Sequence, residues 1–215
     1  ASLREAVEAD ADMIEFDVRL TRDKIPVLSH NRRLYGTRKR ELALLRRYTL
    51  AELRERTVDG EYPITTLDSA LRECFGKIYL NIEIKEVSAV PQTIDVIKKY
   101  ATKKQEWDSL LLSSFKPLAL RAVRQRVPHA ALSMLHYRNP LAFVGWYRLL
   151  NLSAVGFHRL YINTIALEVA KRLGIFTYAY TVNRKDAALR LAERGIDGIV
   201  TDDPARMRTE LGLRG

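Results

Sequence analysis

Short β-like runs alternate with helical stretches along nearly the whole of this sequence, and that alternation limits the possible folds more than any other feature. Strands are expected at Met13–Val18, Ile25–Ser29, Ile78–Ile84, Leu110–Ser113, Ala131–Leu135, Ala154–Phe157, Ile175–Thr181 and Gly198–Thr201. Helical segments fall near 66–75, 90–103, 117–126, 140–150, 164–173 and 184–194. Strand–helix–strand units build parallel sheets. One pair breaks the rule. Only Thr21–Lys24 separate Leu20 from Ile25, and a parallel crossover needs roughly a dozen residues, so these two segments form an antiparallel hairpin. Placing Leu20 opposite Ile25 sets Asp17 opposite Leu28 and Glu15 opposite His30, which folds His30 back over the acids.

With the hairpin return set aside, seven parallel strands remain in a chain of 215 residues. A complete eightfold βα-barrel takes about 250. The expected architecture is α/β, a TIM (β/α)8-type barrel missing its first β-strand, with a β-hairpin excursion after strand two, as a single domain over residues 1–215. A seven-stranded barrel or an open doubly wound sheet is the alternative. The chain starts at Ala1 within an amphipathic stretch, Ser2–Ala9, so the domain is expected to be N-terminally incomplete.

Composition enters where it excludes classes. A hydrophobic content of 47% with 10 Gly and 7 Pro rules out a disordered or collagen-like chain. The lone Cys74 rules out a disulfide scaffold and fits a reducing, cytoplasmic setting. The longest apolar stretch, Pro140–Phe157, is broken by Arg148, Asn151 and Ser153, short of the ~18 uninterrupted residues of a membrane span. Net charge is +10, from 36 basic and 26 acidic residues, which favours anionic partners.

The chemistry is concentrated on two strands. Glu15 and Asp17 stand two apart, as do Glu83 and Lys85, so each pair shares one face of its strand. The alternate residues, Ile14, Phe16, Val18, Ile82 and Ile84, are apolar. In a barrel those would pack outward against helices and leave three carboxylates and an amine inside. Unpaired burial of such groups costs several kcal/mol each, about enough to require compensation. A hard divalent cation held by oxygen ligands supplies it, and so does an internal salt-bridge network. All four residues lie near C-terminal strand ends, where barrel active sites assemble. The residues alone point to a metal-assisted reaction on a phosphate-like anion.

The stretch Ala9-Asp-Ala-Asp-Met-Ile-Glu-Phe-Asp-Val-Arg-Leu-Thr-Arg-Asp23, followed by Pro26-Val-Leu-Ser-His30, resembles the glycerophosphodiester phosphodiesterase family. The resemblance continues through Thr49-Leu-Ala-Glu-Leu53, Pro63-Ile-Thr-Thr-Leu67, Leu80-Asn-Ile-Glu-Ile-Lys85, Ser113-Ser-Phe115, Tyr180-Thr-Val-Asn183 and Gly195-Ile-Asp-Gly-Ile-Val-Thr-Asp202, in family order. It implies a phosphoric diester hydrolase of lipid and glycerol metabolism that releases sn-glycerol 3-phosphate and an alcohol. By the same resemblance Glu15, Asp17 and Glu83 are metal ligands for Ca2+ or Mg2+, His30 is a catalytic acid–base, and Lys85 contacts the substrate phosphate. The implied substrate is a small glycerophosphodiester or a lysophospholipid-like molecule. The family's opening His-Arg-Gly strand, with a second catalytic histidine and a phosphate-contacting arginine, has no counterpart in the sequence. Binding of metal, diester or anionic membrane without turnover is therefore the alternative function. Asn31, Lys24 and Tyr180 stand where the family usually has Asp, Gly and Trp.

Other residues carry weaker expectations. His136 and His158 each follow a strand and are expected at a surface or rim, with His129 in a solvated loop. Cys74 is expected as a buried structural thiol. Leu141–Leu150 reads as a barrel helix with a broad buried face, or else as a peripheral contact with anionic lipid. The basic cluster Arg32, Arg33, Arg38–Arg40, Arg46 and Arg47 follows His30. It is accompanied by no nucleic-acid-binding motif, so no nucleic-acid partner is expected. Thr49 with Glu52 forms a capping-box pattern, Asn183 is a candidate N-cap, and Asp203-Pro204 reads as N-cap and N1.

Overall fold

The computed structural model describes residues 7–35, 42–56, 64–136 and 138–213. Most of the opening amphipathic stretch, all of Arg38–Arg40 and Pro63 lie outside them. The strands are β1 (Met13–Leu20), β2 (Pro26–Leu28), β3 (Arg33–Tyr35), β4 (Leu42–Leu44), β5 (Tyr79–Ile84), β6 (Leu110–Ser114), β7 (Ala131–His136), β8 (Ala154–His158), β9 (Phe176–Tyr180) and β10 (Gly198–Ile199). The helices are α1 (Leu50–Arg56), α2 (Leu67–Cys74), α3 (Val90–Ile97), α4 (Pro117–Arg126), α5 (Tyr147–Leu150), α6 (Thr164–Arg172), α7 (Lys185–Glu193) and α8 (Pro204–Leu211).

Eight strands form one curled sheet in the order β10-β9-β8-β7-β6-β5-β1-β2. Every pairing is parallel except β1 with β2. This is a TIM-type barrel wall left open: among the described residues neither β10 nor Met13–Phe16 of β1 has a strand on its outer side. Asp10, just before β1, and Arg208 on α8 form an ion pair of 3.0 Å. A second hairpin, β3 with β4, was not expected; its strands are too short to show an alternation.

The hairpin of β1 and β2 exists, but its register differs by one residue from the expected one. Val18 pairs with Leu28, Arg19 with Val27 and Leu20 with Pro26. The turn is closed by Thr21, whose amide donates to the Ile25 carbonyl at 3.2 Å while its hydroxyl accepts from the Ile25 amide at 2.9 Å. That claims Ile25 for the turn rather than the strand. Lys24 sits in the left-handed region at φ +59°, the conformation that a glycine adopts without a Cβ penalty.

Helix starts follow local chemistry. Thr66 caps α2 by accepting from the Ser69 amide, and Leu67, Ala70, Leu71 and Cys74 then fall on one buried face. Thr49 and Glu52 form the expected reciprocal box, with the Thr49 amide donating to Glu52 at 2.6 Å and the Glu52 amide to Thr49 Oγ1 at 3.2 Å. Asp203 and Pro204 open α8 as expected. Asn183 does not cap α7; Arg184 occupies that position without a side-chain cap. Asn183 instead accepts from the Asp202 amide at 2.9 Å and ties the β9 end to the chain after β10.

Two further expectations are corrected. Leu141–Leu150 is not one buried helix: it splits into a 3-10 turn, Ala142–Gly145, and the single turn α5, with only Phe143 and Leu150 buried. Gly145, which ends the first turn, is a poor helix former, and no regular apolar stripe anchors the segment. His136 is not at the rim. It extends β7 by one residue onto the outward parity, where it is buried beside Phe143 and Phe157 with ring centroids 6.0 and 6.1 Å away. Cys74 is a buried free thiol as expected, and burial raises its pKa. No helix among the described residues is long and apolar enough to cross a membrane.

Candidate active site

Strand parity builds the site. On β1 and β5 the outward residues Ile14, Phe16, Val18, Leu80, Ile82 and Ile84 are buried in the main core under the helices. The intervening residues face the barrel lumen. The parallel register sets Glu15 beside Asn81 and Asp17 beside Glu83, so the three acids converge near the C-terminal edge. Their carboxylate ligand atoms lie within 4.8 Å of one another. Lys85 Nζ reaches Asp17 Oδ1 and Glu83 Oε1, each at 2.6 Å, and all three side chains are largely shielded. The ammonium also lies 5.8 Å from the Phe115 ring centroid.

The electrostatics record the crowding. Burial within the wall, then the charges of Asp17 and Glu83, push Glu15 up to about 8. Water in the open lumen reaches Glu15, which is the exposed member of the trio, and moderates that desolvation. Glu83 is raised chiefly by burial, with Lys85 opposing and Asp17 reinforcing. Three carboxylates whose ligand atoms crowd within 4.8 Å of one another form a hard donor set suited to a divalent metal ion, whose charge would relieve their mutual repulsion. The trio therefore fits such an ion.

His30 lines the same cleft as Glu15 and Asp17, a cavity of about 1750 Å³ that continues through the lumen to Met207 and Leu211 on the open flank. Its Nδ1 lies 3.2 Å from Asn31 Oδ1, so Asn31 keeps a hydrogen-bonding role without the carboxylate charge. The main chain of His30 is fixed by Arg19, which was not singled out from the sequence. Arg19 donates from Nε at 3.2 Å and from Nη2 at 3.0 Å to the His30 carbonyl, and pairs with Glu86 at 2.9 Å. The signal was available: Arg19 continues the inward parity of Glu15 and Asp17, and Glu86 directly follows Lys85.

Tyr180 provides an aromatic wall, edge-on to both Phe115 and His158, and anchors itself by donating to the His136 carbonyl at 2.6 Å. His158 is half-buried at the mouth; His129 is exposed, edge-on to Trp107. Deeper in the lumen Tyr178 meets Ser133 at 2.9 Å and Asn81 at 3.5 Å. It lies across Gly156, where a Cβ would come within 2.7 Å of its ring.

Comparison with known proteins identifies the family and the fold. Residues 1–206 match the glycerophosphoryl diester phosphodiesterase family. A glycerophosphodiester phosphodiesterase of Caldanaerobacter subterraneus subsp. tengcongensis is 30% identical, over 95% of this chain and 87% of the relative. The fold superposes on an Oleispira antarctica phosphodiesterase solved in complex with the product sn-glycerol-3-phosphate, with a TM-score of 0.83, 26% identity and coverage of 98% of this chain and 89% of that one. It also superposes on a glycerophosphodiester phosphodiesterase from Thermotoga maritima, with a TM-score of 0.79, 27% identity and coverage of 99% and 89%. The chain belongs to the glycerophosphoryl diester phosphodiesterase family, whose members are phosphoric diester hydrolases.

Proposed function

We propose that this protein hydrolyses glycerophosphodiesters to sn-glycerol 3-phosphate and an alcohol in a metal-dependent reaction. The observation that carries the reading is the convergence of Glu15, Asp17 and Glu83 on one point of a cleft that His30 also lines. Glu15, Asp17 and Glu83 would hold Ca2+ or Mg2+, and such an ion supplies Lewis-acid stabilisation of charge on the phosphoryl oxygens. Lys85 binds the same anion and adds a fixed positive charge. His30 takes a proton from the attacking water or gives one to the departing alkoxide as the ester P–O bond breaks, with Asn31 orienting its ring. The Oleispira product complex supports a glycerol phosphate ligand for this lumen. The lone buried thiol, Cys74, is consistent with cytoplasmic residence.

The test is release of glycerol 3-phosphate from glycerophosphocholine. It is expected to stop with EDTA, to return with Ca2+ or Mg2+, and to fall by about 10²-fold or more in Glu83→Gln and in His30→Ala. Release indifferent to EDTA and to Glu83→Gln would remove the metal assignment. A second reading, binding without turnover, has one observation in its favour: Lys85 already pairs with two of the acids at 2.6 Å. Calorimetric binding of Ca2+ with no hydrolysis of any glycerophosphodiester would select it.

A further inference from the structure

The connections that follow β6, β7 and β8 lie side by side, because those strands are neighbours in the sheet, and they stand on the C-terminal edge that carries the acid trio. These connections expose large apolar side chains. Leu160 is 71% exposed, Ile165 66% and Leu118 58%, joined by Val144, Leu141 and, at the inner lip, Phe115. The three segments, 115–118, 137–146 and 159–165, contain no Asp or Glu and hold Lys116, Arg138 and Arg159. None of these cations is ion-paired among the described residues. The opposite side of the mouth differs, since there Arg19 is neutralised by Glu86.

We propose that this rim docks on an anionic lipid bilayer, with the apolar tips entering the headgroup boundary and the three cations meeting lipid phosphates. Exposed large apolar groups interleaved with uncompensated cations are the combination that binds such an interface. A protein seated across the rim would close the cleft, whereas a bilayer presents phosphodiester headgroups to it. That orientation argument rests on the phosphodiesterase reading, while the docking itself does not.

The experiment is co-sedimentation of the wild type and of Glu83→Gln with vesicles rich in phosphatidylglycerol, and with pure phosphatidylcholine. Both proteins are expected to sediment with the anionic vesicles and about tenfold less with the neutral ones. The pair Leu160→Asp with Ile165→Asp, and separately Arg138→Glu with Arg159→Glu, each lower the bound fraction by about tenfold. Both pairs leave circular dichroism and glycerophosphocholine turnover unchanged. Absence of sedimentation, or loss in the charge-reversed pair alone, overturns the proposal. So does a dimer in sedimentation velocity that the Leu160→Asp and Ile165→Asp pair dissolves, since a second copy would then cover the rim. Vesicle binding that follows the expected pattern, with no hydrolysis of soluble diesters, keeps the docking face and removes the phosphodiesterase reading.

Discussion

On β5, Ile82 and Glu83 are adjacent in the chain, yet they occupy opposite environments. Ile82 points out into the main core with no exposed surface, among side chains from the same face of β1 and from the helices. Glu83 points in, beside Asp17 and Ser113 in register, in an acid cluster whose charges repel. The same division runs round the wall: the outward face carries most of the apolar burial, while the lumen keeps only a small cluster of Leu111, Leu135, Ala154 and Tyr178. Stability and chemistry are thus separated by parity along each strand, and one substitution on each face separates them experimentally. Ile82→Ala is expected to cost about 2–5 kcal/mol in chemical denaturation and to leave turnover by the folded fraction nearly intact. Glu83→Gln removes a repelling charge and is expected to hold or raise stability while turnover collapses. Equal loss of activity and stability in both variants would break the division.

His136 tests the outward face by pH. Burial holds its imidazole down at about 4, below the ordinary value near 6.5, and its Nε2 has no hydrogen-bond partner among the described residues. The fold therefore prefers the neutral ring. That contribution is complete above pH 6.5 and is lost as pH falls toward 4, by about 3 kcal/mol in all. Glu15 and Glu83 on the inward face have the opposite sign, because raised carboxyl pKa values favour the fold at low pH and disfavour it as pH rises. Denaturation of wild type and His136→Phe across pH 4–7 isolates the histidine: the variant should lose the acid-side decline, and identical profiles would show that His136 does not titrate as argued.

These faces were not equally legible in the sequence. Alternation within Met13–Val18 and Ile78–Ile84 gave both the strands and the acid trio, because a period of two assigns every side chain to a face without knowledge of the partner strand. The hairpin register was off by one, since the Thr21 hydroxyl recruits Ile25 into the turn, a bond that no spacing announces. The helix expected at Leu141–Leu150 failed for a related reason: apolar content stood in for periodicity, and in the structure much of that content faces outward to water. Arg19 went unnoticed because its role depends on Glu86 and the His30 carbonyl, residues 67 and 11 positions away that only the folded sheet brings together.

The lumen itself is uneven, and two glycines measure the gradient from its packed interior to its open flank. A Cβ at Gly156 on β8 would lie 2.5 Å from Leu135 Cδ2 and 2.7 Å from Tyr178 Cζ. Neither neighbour has much freedom, since Leu135 is buried and the Tyr178 hydroxyl is held by Ser133. Gly198 on the edge strand β10 would meet nothing closer than the Phe176 ring at 3.1 Å, and that ring is half-exposed and able to yield. Gly156→Ala is therefore expected to cost about 1–3 kcal/mol by overpacking. Gly198→Ala should cost under about 0.5 kcal/mol, the range of substitutions away from packed features. Thermal melts of the two variants check the order. If Gly198→Ala proves the costlier, the flank beside β10 is packed as tightly as the lumen, and the gap in the barrel wall is filled in solution.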